Sequence, residues 1–385
     1  MAVSRRSGRC LNAVELRREG LVELLLTFRP SCQVDRLESL ASFFGRIADY
    51  LAPYGVQIIQ ERCYGRADAY KEICARREVA YRQYGIDSDG AFFFIGQPPC
   101  DGSAVAGVQI WAAGPRGCVQ PLSIGGEPVG TRYSDGSSSF TSFQNVGPCS
   151  GNGHARHDQA VDMFEKAGRL LETQGLSYRD VVRTWIYIPA LLEWYGEFNA
   201  ARRDVFRKSG LIDGKHPPAW LPASTGIQGL CPVGRSCMMG LMAVAPREGA
   251  DVKVQTVESP RQCEAFAYGS AFSRAVEVRD AFLSRLLISG TASIDDGGLT
   301  VHAGDFERQA AHTIDVVREL LAARGHDLRD VAHATVFLKR PEYLQAFRRV
   351  AVERGLDWAC SIETIADVCR EDLLVEIDAM SVKAR

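Results

Sequence analysis

Apolar residues recur with a helical period late in the chain, and a strand-like run follows them. Five apolar positions spaced three or four residues apart predict a helix with one buried stripe: Phe306, Ala310, Ile314, Val317 and Leu321. The pattern stops at a glycine, and the next segment is rich in β-branched and aromatic residues. This change of period predicts a helix that ends at the glycine and a strand that follows it.

The same helix, glycine and strand pattern occurs twice, 150 residues apart. Residues 170–188 read LLETQGLSYRDVVRTWIYI, and residues 320–338 read LLAARGHDLRDVAHATVFL. A second helix and a further strand are predicted after each copy, at 191–209 and 236–244 and again at 341–354 and 373–382. This order predicts helices packed on one face of a mixed sheet.

A weaker third copy precedes these two. Its predicted elements are a strand at 21–28, a helix at 35–51, a strand at 56–65, a helix at 66–83 and strands at 91–96 and 107–114. Segments rich in glycine, proline or charge separate the copies near 114–125 and 246–250. We therefore predict an α/β (α+β) protein with three tandem domains, at residues 1–115, 116–248 and 249–385.

Composition and charge narrow the class of partner. The 385 residues are 46% hydrophobic and 24% charged, which is ordinary for a globular protein. A net charge of −2 argues against a polyanion-binding surface, so we expect no nucleic-acid partner. No apolar run reaches the roughly 18 residues of a membrane span, and no signal-peptide core follows the basic N-terminus. We therefore expect a cytoplasmic protein that does not associate with membranes.

The twelve cysteines and seven histidines do not form a metal-ligand pattern. No two cysteines have CxxC spacing, and the histidines show no HExxH motif. Scattered cysteines of this kind are typical of small buried side chains in a reducing compartment. We expect no metal site.

The last of the three copies resembles the RidA (YjgF-like) family along its whole length. The matching segments are AYGSAFSRAVEV, LLISGTAS, DVAHATVFL and LLVEIDAMSV. Ordinary members of that family form homotrimers with ligand clefts between subunits. The resemblance implies three RidA-like (chorismate-mutase-like) units fused into a pseudo-trimer, in which one cleft can stay active while the others degenerate.

Two motifs together are similar to those of the chorismatases, which include 3-hydroxybenzoate synthases and chorismate hydrolases. YGSxFSR lies near the start of the last unit and ADVCRxxLLVEID near its end, and the similarity covers about residues 90–385. It implies an enzyme that cleaves chorismate into pyruvate and a ring product without a cofactor. One chain would supply the whole cleft, so we expect a monomer or a weak dimer.

Glu376 is the candidate acid. Alternation along LLVEIDA sets Glu376 and Asp378 on one face of a strand. Cleaving the enol ether requires protonation of the enolpyruvyl methylene, for which a carboxylic acid held neutral by an apolar site is suited. Spacing alone favours an ordinary solvent-facing glutamate, but the family resemblance implies that the first acidic position of the closing strand is functional.

Cys369 is the second candidate catalytic residue, seven positions before the acid. The residues alone favour a buried turn cysteine. The resemblance implies instead that a cysteine here assists collapse of an epoxide-like intermediate, as in chorismatases that form 3-hydroxybenzoate. Its presence favours that product over the dihydrodiol of the hydrolases.

The substrate carboxylates require guanidinium and hydroxyl partners. In the third unit, Tyr268 and Arg274 lie on the YGSAFSR segment, and Gly290 could let a ligand approach the backbone, with Thr291 and Ala292 beside the ring.

The second unit is expected to supply the opposite wall of the cleft. Arg183, Trp185 and Tyr187 alternate along one face of a strand, and Arg202 lies on the following helix; the spacing leaves open which strand face meets the cleft.

Two other functions remain open. One is the enamine or imine hydrolysis of RidA proteins, many of which carry a carboxylate-binding arginine about 15 residues before the closing glutamate. That position is Ser361 here, which disfavours this activity. The other is a non-catalytic ligand-binding or scaffold protein, which would bind chorismate and leave it intact.

Overall fold

One order of elements occurs three times in the computed structural model: three strands, a helix, a strand, a second helix and two strands. The structure describes residues 1–33, 36–88, 90–149, 154–213, 216 and 218–385, with the backbone alone at residues 32–33 and 36–37. Each repetition forms one six-stranded sheet with two helices, and we call these the first, second and third unit.

The elements of each unit have the following bounds. The first unit contains β1 (Ala2–Gly8), β2 (Leu11–Arg18), β3 (Leu21–Phe28), the short pair β4 (Cys32–Gln33) and β5 (Arg36–Leu37), α1 (Leu40–Leu51), β6 (Gln57–Gly65), α2 (Tyr70–Gln83), β7 (Phe92–Gly96) and β8 (Val105–Gly114). The second contains β9 (Val119–Ile124), β10 (Glu127–Ser134), β11 (Ser138–Val146), α3 (Arg156–Glu172), β12 (Val181–Tyr187), α4 (Leu191–Lys208), β13 (Ala223–Ile227) and β14 (Met238–Pro246). The third contains β15 (Lys253–Val257), β16 (Ala275–Arg279), β17 (Leu283–Ala292), α5 (Phe306–Ala322), β18 (Val331–Leu338), α6 (Tyr343–Glu353), β19 (Ser361–Ile365) and β20 (Val375–Ala384).

Each sheet is mixed, and its last strand in sequence lies inside it. The third sheet has the order β15-β16-β17-β20-β18-β19, and the other two follow the same scheme. Its neighbours pair antiparallel except β18 and β19, which are parallel because α6 connects them as a crossover. The predicted class, with helices on one face of mixed sheets, is confirmed.

The two faces of each sheet bury different neighbours. In the third unit, Ile314 of α5 packs with Val336 and Ile377 in a core between sheet and helices. The opposite faces of all three sheets share one central core, to which Trp111, Trp185 and Leu287 each contribute from a different unit. The helices therefore lie outside, and the sheets face one another.

The three units contact one another in a cycle. Strand β7 lies against β11, β13 against β17, and β19 against β8. Single backbone bridges join the same pairs of units at Gly96–Leu230, Ala223–Ser273 and Pro99–Thr364. This arrangement places the sheets around a pseudo-threefold axis, as the resemblance to a fused trimer implies. We propose that the domain boundaries lie near residues 115 and 248, between the sheets.

A buried group of charges ties the three units together. Arg285 of the third unit contacts Glu23 of the first unit at 2.7 Å and Asp135 of the second at 3.2 Å. Glu23 also accepts a hydrogen bond from the Trp111 indole at 3.1 Å. All three charged side chains are almost fully buried, so the guanidinium compensates two carboxylates that water does not reach.

The first unit differs from the prediction in two places. The helix expected from Asp35 begins at Leu40, because the Ser39 hydroxyl accepts a hydrogen bond from the Ser42 amide and caps it there. Asp35 itself lies outside the described residues. The basic N-terminal segment forms β1 and β2, which the sequence analysis did not predict; β1 is an exposed edge strand without hydrophobic alternation.

Two kinds of feature are absent from the residues that the structure describes. None of the helices there is both long and apolar enough to cross a membrane. No group of three or more His, Cys, Asp or Glu side chains in that part of the chain is arranged to hold a metal ion.

We expect Arg285→Leu to lower the free energy of unfolding by about 3–5 kcal/mol, because it leaves the buried Glu23 carboxylate without a counter-charge and leaves Asp135 with Arg18 alone, at 3.5 Å. Arg329→Leu is the matched control: its guanidinium pairs with Asp327 but is 88% exposed, so its removal should change the free energy of unfolding far less. Urea unfolding followed by tryptophan fluorescence measures both. Equal losses in the two variants would show that the buried charges do not hold the units together.

Candidate active site

Two carboxyl groups lie side by side on the inner face of β20. Glu376 is 5% exposed and Asp378 is 3% exposed, while Val375 and Ile377 point into the core beneath the helices. The strand is flanked by β17 and β18, so both carboxyl groups are held on a rigid central strand. The expectation that the two acids share one face is met, and that face points toward the second unit.

Asp378 has a complete set of partners from the second unit. Arg183 Nη2 lies 3.0 Å from Asp378 Oδ2, and the Thr225 hydroxyl donates to the same oxygen at 2.9 Å. Arg183 also donates to Thr225 Oγ1 at 2.6 Å. Burial lowers the pKa of the guanidinium to about 10, which still leaves Arg183 charged at neutral pH. The buried guanidinium therefore places a positive charge directly beside Asp378.

Glu376 is the carboxyl group that remains protonated. Its burial and the neighbouring charge of Asp378 raise its pKa to about 8, and the more distant charges of Arg183 and Arg274 only partly oppose this. Removal of a carboxylate from water disfavours the charged form, and a second carboxylate nearby disfavours it further. At neutral pH the group is therefore a neutral acid that can donate a proton.

Gly290 makes room for the acid. A methyl group at this position would lie 2.1 Å from Glu376 Oε1 and 3.4 Å from Thr225 Cγ2. The space that the sequence analysis assigned to an approaching ligand is thus taken by the Glu376 carboxyl group. On the same strand, Ala292 lies opposite Glu376 in the pairing register, while the Thr291 hydroxyl is engaged by the carbonyl of Ser289 at 2.9 Å.

Two arginines from different units meet beside the acid. Arg274 of the third unit donates through Nε to the carbonyl of Cys263 at 2.9 Å and lies 5.4 Å from the Tyr268 ring centroid. Arg202 of the second unit donates through Nη2 to Asn199 at 2.6 Å, and its buried Nε has no partner. Both guanidinium groups lie within 5.8 Å of the Phe272 ring centroid, so together they offer two charges to an anionic ligand.

The structure adds Tyr195 to the site. Its pKa is raised first by burial and then by the nearby Cys369, and the charges of Arg202 and Glu376 also act on it. Tyr195 lies on α4 seven residues before Arg202, which places both side chains on one helical face two turns apart. This spacing was visible in the sequence and could have identified the tyrosine.

Cys369 lies close to the acid, in the loop before β20. Burial and the Glu376 carboxylate raise the pKa of its thiol to about 12, so the sulfur carries its proton at neutral pH. The adjacent Arg370 donates to the carbonyl of Gly298 at 2.8 Å and lies 5.6 Å from the Tyr268 ring centroid. These contacts connect the loop to the segment that carries Tyr268 and Arg274.

Arg183 and Tyr187 point inward from β12 but have different surroundings. Arg183 is engaged by Asp378, as described above. The Tyr187 hydroxyl lies 3.2 Å from that of Tyr64 in the first unit, and its ring packs on Phe93. Tyr187 is thus anchored between the first and second units.

Ser361 also lies elsewhere. Its hydroxyl donates to Glu363 at 2.9 Å, and its strand β19 faces the first unit. The strand that faces Glu376 is β13 of the second unit, where Thr225 takes the corresponding role of contacting the acid pair. Ser361 therefore lies at the cleft between the third and first units, whereas Glu376 lies at the cleft between the second and third units.

Only the third unit has an acid at this place. The closing strand pairs Glu376 with Phe337 in the third unit, Met238 with Tyr187 in the second, and Gly107 with Tyr64 in the first. In each unit the pairing shifts register once near the start of the partner strand. The first pairs after the shift are His333–Met380, Arg183–Met242 and Gln60–Trp111, and the three residues named above on the partner strands each lie four positions further along, so the three pairs correspond. The cleft between the second and third units is the one equipped for acid chemistry.

Comparisons with known proteins agree with this picture. Residues 264–383 match the family described as Endoribonuclease L-PSP, the RidA-type domain. The chain is 32% identical over 231 residues to a chorismatase of Streptomyces hygroscopicus, covering 54% of this chain and 63% of that protein. It is 30% identical over 230 residues to a chorismatase of Streptomyces rapamycinicus, covering 53% and 65%. These alignments span a little under two thirds of each relative.

A longer alignment and a solved structure extend the similarity. A 3-hydroxybenzoate synthase of Streptomyces hygroscopicus is 28% identical over 282 residues, which covers 66% of this chain and 77% of that protein. A crystal structure of a chorismatase superposes with a TM-score of 0.61 at 23% identity, over 84% of this chain and 93% of that one, and shows that the fold is shared. The resemblance to chorismatases and to the RidA-like fold is confirmed.

The raised pKa of Glu376 has a consequence for stability. The folded-state pKa of about 8 lies above the ordinary value of 4.5, so the contribution of this group is fully present below about pH 4.5 and is lost as the pH rises toward 8. Glu376→Gln cannot ionise. We expect its melting temperature, relative to that of the native protein, to rise from pH 5 to pH 8 and then level off. Glu371→Gln, at an exposed site on the same loop, should show no such trend. A constant difference for Glu376→Gln would mean that the acid is not held protonated.

Proposed function

We propose that this chain, a relative of the chorismatases built from three RidA-like units, converts chorismate into 3-hydroxybenzoate and pyruvate, with Glu376 as the general acid. The observation that carries the proposal is the pair of buried carboxyl groups on β20. One of them is ion-paired with Arg183, and the other has its pKa raised to about 8. Such a pair supplies a proton donor at neutral pH inside a closed site.

The first step is a proton transfer to carbon. Glu376 gives its proton to the methylene of the enolpyruvyl group, and the double-bond electrons form the new C–H bond. The ether carbon becomes an oxocarbenium ion. Carbon is a poor proton acceptor, so the donor must be protonated and close; burial of Glu376 meets the first need, and its fixed place on a central strand serves the second.

The second step separates the two products. The ring C–O bond breaks, its electrons complete the carbonyl of pyruvate, and the adjacent ring hydroxyl oxygen closes onto the ring carbon while its proton returns to the Glu376 carboxylate. The other C–O bond of the epoxide-like intermediate then breaks with its electrons going to oxygen, and the carbon that keeps the oxygen loses its hydrogen as a proton. The oxygen takes up one proton in exchange, which leaves the aromatic hydroxyl group. All atoms of chorismate appear in the two products, so the reaction consumes neither water nor an oxidant and needs no cofactor.

Arg202 and Arg274 are placed to bind the two carboxylates of the substrate. Arg202 has a buried Nε without a hydrogen-bond partner, and Arg274 donates to the carbonyl of Cys263 and lies against the Tyr268 and Phe272 rings. We assign these two residues to substrate binding, with Tyr268 and Tyr195 as hydroxyl partners. Gly290, Thr291 and Ala292 border the acid.

Other residues from the sequence analysis have a supporting role in this proposal. Arg183 engages Asp378 and so leaves Glu376 without a counter-charge of its own. Tyr187 joins the first and second units through Tyr64. Both act on the shape and charge of the site, and neither is assigned to direct contact with chorismate.

We also propose that the protein acts as a monomer in the cytoplasm. Both walls of the cleft come from one chain, because Thr225 and Glu376 meet across the second and third units. The eleven cysteines that the structure describes with their side chains are all unpaired, which is typical of a reducing compartment.

Glu376→Gln tests the acid. The variant keeps the shape of the side chain but has no proton to transfer, so we expect kcat/KM for chorismate to fall by at least about 100-fold. The exposed Glu371→Gln should retain normal turnover. Chorismate consumption and pyruvate release measure both. Turnover of Glu376→Gln within a few-fold of the native value would exclude this residue as the acid.

Cys369→Ala tests the product assignment. The thiol stays protonated at neutral pH, so we assign it the role of a small S–H group that directs opening of the epoxide-like intermediate. The variant should still consume chorismate but yield less 3-hydroxybenzoate. Cys149→Ala, at an exposed cysteine, should leave the products unchanged. Chromatography with mass detection resolves them. An unchanged mixture from Cys369→Ala, or dihydrodiol alone from the native protein, would instead assign a chorismate hydrolase.

A further inference from the structure

The cleft between the third and first units contains a cavity of about 110 Å³. It corresponds to the active cleft by the pseudo-threefold arrangement, since Gly107 stands where Glu376 stands in the third unit. A methyl group on Gly107 would lie 2.9 Å from a side-chain carbon of Ile362. The acid is therefore absent from this position, and a neighbouring apolar side chain fills its place, so this cleft cannot carry out the proposed reaction.

Two guanidinium groups nevertheless line this cavity. Arg29 of the first unit is 5% exposed; its Nη1 donates to the carbonyl of Trp358 at 3.1 Å, and its Nε has no partner. Arg348 on α6 of the third unit donates through Nη2 to Glu363 at 3.1 Å, and its buried Nε also has no partner. Both groups lie within 4.4 Å of the Trp358 ring centroid.

The charges around the cavity do not cancel. Three arginines line it, Arg9, Arg29 and Arg348, against two carboxylates, Asp101 and Glu363. Glu363 lies between Arg29 and Arg348, at 3.8 Å from one and 3.1 Å from the other, so one carboxylate serves two guanidinium groups. One further negative charge would make the lining of the cavity electrically neutral. The buried Nε–H groups of Arg29 and Arg348 also lack a hydrogen-bond acceptor.

We propose that this cleft binds a small monocarboxylate. A carboxylate matches the planar donors of arginine and supplies the missing charge. The volume limits the ligand, because a cavity of about 150 Å³ holds a benzene molecule, so a cavity of about 110 Å³ suits an anion of about six heavy atoms or fewer. The site binds without reacting, because the acid position is Gly107. The proposal does not depend on chorismate turnover.

The test uses pyruvate as the probe and equilibrium dialysis of the labelled compound as the measurement. To separate this site from the active cleft, binding is first measured in Arg202→Gln. We expect saturable binding to remain in that variant. Adding Arg348→Gln should weaken the remaining site by at least about tenfold, since a charge-assisted hydrogen bond contributes about that factor. Adding Arg349→Gln instead removes the same charge from an exposed position on the same helix and should change binding less than twofold.

Two outcomes would overturn the proposal: no saturable binding in Arg202→Gln, or remaining binding that Arg348→Gln leaves unchanged. A thermal melt checks that each variant is folded. If Arg348→Gln is unfolded, Arg348→Lys replaces it, because lysine keeps the charge toward Glu363 but has no Nε. The same weakening is expected in Arg348→Lys, and unchanged binding there would count against the site.

Discussion

The properties of the candidate active site depend on how one guanidinium is shared between two buried carboxyl groups. Arg183 contacts Asp378 directly and Glu376 only at longer range. Had the arginine been placed between the two, both groups could have been ionised. Because the pair is complete with Thr225, the second carboxyl group is left in an apolar place beside a negative charge. The pKa of Glu376 is thus raised because Arg183 compensates the charge of Asp378 and not that of Glu376. Burial raises this pKa more than the charge of Asp378 does.

The pseudo-threefold arrangement explains how such a site is assembled. Helices cover the outer face of each sheet, so the inner faces are free to carry polar groups at the places where units meet. At one end Arg285 joins carboxylates from two other units, and at the active cleft Arg183 and Thr225 reach from the second unit to the third. These polar groups find partners across unit boundaries, which makes the relative placement of the units specific.

Much of the fold could be predicted from the sequence, since strands and helices with one buried face leave a clear period. The alternation of Glu376 and Asp378 was visible for the same reason. What could not be predicted were contacts between distant segments: Arg183 and Asp378 are 195 positions apart, and no local pattern joins them. The exposed strand β1 was missed because it has no apolar face. Gly290 was predicted to let a ligand approach the backbone, and only the structure shows that its missing side chain makes room for the Glu376 carboxyl group.

The buried charges that cross unit boundaries also bear on how the chain reaches its working state. A third unit folded by itself would expose Arg285 without its carboxylates and Asp378 without its arginine, since these partners belong to earlier parts of the chain. Burying those groups alone would be costly, so the central core is expected to form only when all three sheets come together. Folding of the units is then coupled, and the pKa of Glu376 rises only after the units have come together. During synthesis, a nascent chain whose last strand is not yet in the sheet would leave this carboxyl group in water, ionised at neutral pH.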